Sequence, residues 1–271
     1  MKKLRLLLTI ILLTSLFTSC LQVETTVKVK KDGSGIITEK VLFSESFIQM
    51  VKDFVETFQD SASTEEFSMF DESEIKADAM NFGEGVEYVS YESINNDGWS
   101  GYQAIYTFDD ISKIRLAPDP ESKVDLGDDE AAPSPEDYYY FSFVKGETAE
   151  LIIDRPEIEF ETNYSEDDTD SAQTSQNHDE IGEEFMKIME GMKIDIAVDV
   201  DGQIVNTNAS YVQGSKVMLF QMDLSEMMKN KEVFNEFKKN EPQNIDELKV
   251  YLEKLGGLKI QVDKPVTIKF E

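Results

Sequence analysis

Apart from carboxylates, residue types able to do covalent or metal chemistry are scarce in this chain. Its 271 residues hold one cysteine, Cys20, one histidine, His178, and 55 acidic side chains. Nucleophilic catalysis needs a base beside the nucleophile and a third group to orient that base. His178 is the sole imidazole and lies inside the acidic stretch 163–180, where it reads as a solvated side chain. No Gly-x-Ser-x-Gly elbow is present, and Gly33-Ser34-Gly35 falls at a hairpin tip rather than a strand-to-helix turn. One histidine and one cysteine do not make a zinc site of nitrogen and sulfur ligands, and no glycine-rich phosphate cradle is found. Paired carboxylates could hydrolyse glycosides, but among 55 acids no pair stands out. Asp199-Val200-Asp201-Gly202 has part of a calcium-loop spacing and lacks the third oxygen ligand and the distal glutamate. The acidic runs 125–130 and 165–170 read as solvated charge, with loose calcium binding as the alternative. No catalytic residue, metal or cofactor is assigned. What remains is Cys20.

Cys20 closes a segment with a definite order. Lys2, Lys3 and Arg5 precede the apolar run Leu6–Phe17, and Thr18 and Ser19 lead into the cysteine. Charged, then apolar, then small residues is the order of an export signal. Leu16-Phe17-Thr18-Ser19-Cys20 resembles the lipobox of bacterial lipoprotein signals, with Phe17 where leucine is usual and Leu16 one position earlier. The resemblance implies cleavage after Ser19 and an acylated N-terminus at Cys20. One acyl chain binds a membrane marginally and two or three anchor stably, at about 0.8 kcal/mol per buried CH₂. Two plainer readings stand beside it. One is an uncleaved membrane span, for which the 18 uncharged residues Leu6–Val23 are borderline. The other is an ordinary signal peptide with an incidental cysteine. As the sole cysteine of an exported chain, Cys20 has no disulfide partner, and acylation supplies its role. By the sorting rule of enteric lipoproteins, Leu21 in place of aspartate after the cysteine favours the outer membrane.

Removing residues 1–19 takes away three positive charges and leaves 252 residues at a formal charge of −32. Such acidity argues against nucleic acid, whose phosphates must be met by Lys and Arg, and against a basic face for anionic headgroups. Its plain consequence is solubility. With 40% hydrophobic residues the chain can bury a sizeable core.

The elements follow from periodicity. Val23, Thr25, Val27 and Val29 alternate with polar residues, turn through Lys31-Asp32-Gly33-Ser34-Gly35, and return over Ile36–Phe43 as a hairpin. Ser46 and Gln49 match a capping box, and Phe47, Val51, Phe54, Val55 and Phe58 share one helix face. Asp71–Phe82 reads as a short helix stopped by Gly83. A second hairpin runs Val86–Ile94 and Trp99–Phe108 about Asn95–Gly98. Asp109–Ile114 reads as one helical turn, and a third hairpin runs Tyr138–Val144 and Thr148–Ile153. Residues 117–136 hold four of the seven prolines and an acidic run, and 163–180 is polar and acidic. Both read as disordered insertions. Ile181, Phe185, Ile188, Met189 and Met192 mark another helix face. Ile194–Val200, Gln203–Val212 and Lys216–Leu224 read as a three-stranded meander. Ser225–Asn240 reads as helix broken near Asn230, and Asn244 to Glu247 opens a last helix that stops at Gly256-Gly257. Leu258–Phe270 is the last strand region, with Pro265 at an edge or bulge.

Two patches carry a resemblance to poorly characterised bacterial lipoproteins, of which the LppM-like domain is the nearest to name. The first is Cys20 with Asp32-Gly33-Ser34-Gly35. The second is Gly202-Gln203-Ile204-Val205-Asn206-Thr207-Asn208-Ala209, similar to the Gly-x-Ile-Val-x-x-Asn-Ala turn and strand of that group, ahead of the aliphatic Val217–Phe220. They touch a small fraction of the chain, and the acidic insertions lie outside the pattern. The resemblance implies an envelope-facing α+β domain with room for a lipid between sheet and helix, and no defined activity.

The expectation is therefore a signal, 1–19, followed by a single α+β envelope domain, 20–271. In that domain an antiparallel sheet of hairpins and a meander, about nine strands, carries four or five amphipathic helices on one face. Phe47, Phe54 and Phe58 with Met186, Met189 and Met192 either line a cavity for an apolar ligand or close the core. The functional expectation is a non-enzymatic, membrane-anchored module that binds a protein partner or an apolar ligand. The alternatives are a carboxylate-dependent hydrolase acting on envelope glycans and a passive structural surface protein.

Overall fold

The computed structural model describes residues 21–58, 70–118, 134–158, 160, 191–240 and 242–271. The signal 1–19, Cys20, most of 117–136, all of 163–180 and helix positions 181–190 lie outside the described residues.

Strand β1 (Leu21–Val29) pairs antiparallel with β2 (Gly35–Ser44), Leu21 facing Phe43 and Val29 facing Gly35. Their turn is set by Asp32, whose carboxylate accepts the Ser34 N–H at 3.0 Å and the Ser34 hydroxyl at 2.7 Å. Gly33 supplies the left-handed residue at φ 84°. Strands β3 (Glu87–Asn96) and β4 (Trp99–Phe108) make the second hairpin, and β4 pairs with β2. On its other side β1 meets β8 (Lys193–Val200), which runs parallel to it. Strand β11 (Lys216–Asp223) then pairs antiparallel with β8, and β10 (Val212–Gln213) and β12 (Leu258–Ile260) both pair with β11. The order is β10-β11-β8-β1-β2-β4-β3. A second, antiparallel sheet runs β5 (Arg115–Leu116), β6 (Tyr139–Val144), β7 (Ala149–Asp154), β13 (Val266–Phe270), β9 (Ile204–Thr207).

The α+β class holds, and the single antiparallel sheet is corrected to one mixed sheet and one antiparallel sheet. The meander is the main casualty. After Val200 the chain turns at Asp201-Gly202 and β9 joins β13 in the second sheet instead of folding back beside β8. Side chains pin it there. Thr207 donates its hydroxyl to Thr267 O at 2.6 Å. Asn208 donates to Pro265 O at 3.0 Å and accepts the Thr267 N–H at 2.7 Å. Gly202 lies so close to the Glu271 backbone that a Cβ would stand 2.2 Å from its carbonyl oxygen. Leu258–Phe270 likewise splits, with β12 in the first sheet and β13 in the second. The buried Gln261 bridges the break, donating to Met218 O and accepting the Ser210 N–H.

Five α-helices lie among the described residues: α1 (Glu45–Phe58), α2 (Glu72–Ala77), α3 (Leu224–Met227), α4 (Lys231–Lys239) and α5 (Ile245–Lys254). The cap of α1 is Ser44, whose hydroxyl accepts the Phe47 N–H at 3.2 Å, two residues ahead of the Ser46–Gln49 box that the spacing suggests. Gln49 donates instead to Asp53. Asn244 does cap α5 by accepting the Glu247 N–H at 3.0 Å, and Asn230 caps α4 after the expected break.

The inner face of the first sheet packs against α1, α2 and the second sheet in one cluster that includes Val27, Ile37, Tyr106, Ile111, Leu151, Val198 and Ile268. Each such aliphatic or aromatic side chain, fully buried, contributes about 1.5–3 kcal/mol. Helices α3 to α5 do not join it. They form a separate cluster with the β11–β12 end: Met227, Phe234, Tyr251, Leu255 and Leu258. The helices thus pack in two groups rather than one.

Candidate functional site

The inner face of the first sheet carries one buried acid, Glu39. It sits in the inward phase of β2, between Ile37 and Val41, opposite Thr25 of β1 and Ala104 of β4. Tyr102 donates its hydroxyl to Glu39 Oε1 at 2.9 Å. Burial, and then the Glu39 charge, push the Tyr102 hydroxyl far above the ordinary phenol range. Tyr106 is raised in the same way, and donates to Ile75 O at 2.9 Å. Tyr102 links two strands of the sheet and Tyr106 links sheet to helix, and neither phenol is a proton shuttle near neutral pH. Sequence reasoning missed the Glu39–Tyr102 pair, although the period-two phase of β2 places Gly35, Ile37, Glu39, Val41 and Phe43 on one face.

Of the apolar residues singled out from the sequence, Phe47 stacks on Phe43 with ring centroids 5.3 Å apart. Phe43 in turn meets Phe70, and Phe70 meets Tyr102 edge-on at 5.2 Å. Phe47 therefore closes the core beside the Glu39–Tyr102 pair. Met192 is buried at the start of β8, and its carbonyl accepts the Leu224 N–H at 3.1 Å. It belongs to neither hydrophobic cluster, so the structure does not bring Met192 and Phe47 together. The Phe54 and Phe58 side chains, Met186 and Met189 lie outside the described residues, as does Cys20.

A surface cleft of about 530 Å³ lies where Gly83–Val86 meets Ser112–Arg115 and Tyr140. Met80 stands 78% exposed at its rim. Lys113 is ion-paired to Glu84 at 3.1 Å, and the Arg115 guanidinium lies 5.0 Å from the Tyr138 ring centroid. Glu84 is the one carboxylate among the described residues that line it, so the cleft does not present the carboxylate pair of a glycosidase. Among the described residues no group of three or more His, Cys, Asp or Glu side chains is gathered as a metal would need. No described helix is long and apolar enough to cross a membrane.

One end of the first sheet gathers several features. Leu21 faces Phe43, Gln22 faces Lys193, Lys193 faces Asp223, and Ser44 faces Trp99. Helix α1 starts there at Glu45, whose N–H donates to Gly98 O, and α3 starts there at Leu224. Residue 21 thus shares an end with α1, the β3–β4 turn and the α3–α5 unit. On the outer face near this end, Lys193 bridges Asp195 at 2.8 Å and Glu24 at 3.2 Å. Burial works against the Lys193 charge, and the two carboxylates outweigh it and hold its pKa above the usual lysine value.

Neither a family model nor a curated protein sequence matches the chain. Among solved structures, it is similar to the folded domain of the Mycobacterium tuberculosis LppM protein. The TM-score is 0.32 and the identity 9%, over 94% of this chain and 91% of that one.

Proposed function

We propose that this chain is a bacterial lipoprotein, held in the cell envelope by acyl chains on Cys20, whose α+β domain binds a partner rather than catalysing a reaction. The observation that carries the reading is the order charged, apolar, Thr18-Ser19-Cys20 at residues 2–20, followed without a spacer by β1 at Leu21. An anchor so placed holds the domain at the bilayer surface. Leu21 after the cysteine favours the outer membrane. The non-enzymatic part of the reading is supported by the burial of Glu39, the one buried carboxylate among the described residues, which a substrate would not reach. Phe47, committed to the core against Phe43, favours a protein partner over an apolar ligand held under α1.

The test is the full chain with its signal, expressed in a bacterial host. Intact-mass measurement of the membrane fraction is expected to show loss of residues 1–19 and addition of acyl groups, and Cys20→Ser is expected to release the domain from the membrane. An unmodified Cys20 with the signal retained would overturn the reading.

A further inference from the structure

We infer that the end of the first sheet holding Leu21, together with the α3–α5 unit, is a bilayer-docking surface that fixes how the domain stands on the membrane. The inference rests on the lipid anchor proposed above and goes beyond it. An anchor alone leaves the domain free to tilt; a second contact is needed to set its orientation.

Three observations place that contact. The first is topology. Strand β1 is central, and the order β11-β8-β1-β2-β4 puts Leu224 and Trp99 two strands away on either side of Leu21. At the usual strand spacing each lies roughly 10 Å from the anchor point. The opposite end, at Lys30 and Lys31, is roughly 30 Å away along β1. The second is charge. Residues 224–264 contain eight lysines and eight acids, so the whole formal charge of −29 lies elsewhere in the chain. With lysines and acids in equal number the α3–α5 unit is electrically neutral, so an anionic bilayer does not repel it as it repels the strongly acidic chain as a whole. The third is apolar exposure on that unit. Met228, Val233, Phe237 and Leu252 are only partly buried against its cluster, and Val250 is 45% exposed. A half-buried apolar set on a unit of no net charge can meet a bilayer interface without like-charge repulsion.

Trp99 is the sole tryptophan of the chain and stands at this end, which makes it a built-in probe. The acylated full chain is reconstituted into phosphatidylcholine vesicles containing phosphatidylglycerol. Flotation and intact mass report the anchor, quenching of Trp99 by brominated lipid reports approach, and acetylation footprinting reports which lysines are covered. The expected result is a floating, acylated protein with Trp99 quenched. Lys238, Lys239, Lys249 and Lys254 are protected relative to the detergent-solubilised protein, and Lys30 and Lys31 are not. The variant Lys238→Glu/Lys239→Glu keeps flotation and loses the protection of Lys249 and Lys254. A protein that floats and is acylated, yet shows unquenched Trp99 and equal labelling at both ends, overturns the docking surface and leaves the anchor standing. A protein that neither floats nor carries acyl groups overturns the anchor, and the docking surface with it.

Discussion

Glu39 occupies a position where an apolar side chain would pack more simply, and Tyr102 is the hydroxyl given to it. A buried carboxylate that loses a donor keeps its desolvation cost. Tyr102→Phe is therefore expected to destabilise the fold by roughly 1–3 kcal/mol. Urea unfolding should show a lower midpoint at unchanged slope; an unchanged midpoint would mean that the bond contributes nothing. The pair was half legible. The phase of β2 marks Glu39 as inward, but strand phase says nothing about which residue sixty positions away will face it. That is set by the pairing of β2 with β4, which brings Val41 opposite Tyr102 and Ala104 opposite Glu39. The Cys20 reading, in contrast, draws on its neighbours alone, because a signal is read as a linear string.

Local elements were legible where their signals are local. The Asp32–Ser34 turn, the Asn230 and Asn244 caps and the break before α4 all follow from short-range chemistry. Choice of partner does not. The Gly202–Ala209 patch, singled out by resemblance, works as a splice that carries the chain from one sheet to the other. Its Thr207 and Asn208 side chains do the holding. Asn208→Ala removes the bonds to Pro265 O and from Thr267 N–H, at a cost of about 1 kcal/mol. Its signature is expected in hydrogen exchange, with the Thr267 amide losing protection while amides of β1 and β2 keep theirs. Uniform loss across both sheets would contradict a local splice.

On the scale of the molecule, two sheets share one core, and three tyrosines buried in it resist ionisation. Tyr102, Tyr106 and Tyr139 are raised above the ordinary phenol value of about 10, in each case by burial first. A raised phenol pKa means that the folded state holds its proton more tightly than the unfolded chain does. The stabilisation is complete below pH 10 and is lost as pH climbs toward the folded values. Alkaline titration of the ten tyrosines should therefore be biphasic. Exposed phenols ionise first, and the buried set ionises only as near-UV circular dichroism collapses. Ten tyrosinates forming near pH 10 with the dichroism intact would refute it. The second sheet was not legible because its strands are scattered through the chain, from Arg115 to Phe270, and periodicity gives each strand a face without saying which sheet it joins.

The central place of β1 has a mechanical consequence. A pull on the chain at residue 20 is directed along a strand bonded to β2 from Leu21 to Val29 and to β8 from Gln22 to Val29. Such a load shears both ladders at once instead of unzipping one bond after another. An edge strand in the same position would peel away. An anchor on Cys20, as proposed, would thus load the domain through a central strand rather than an edge.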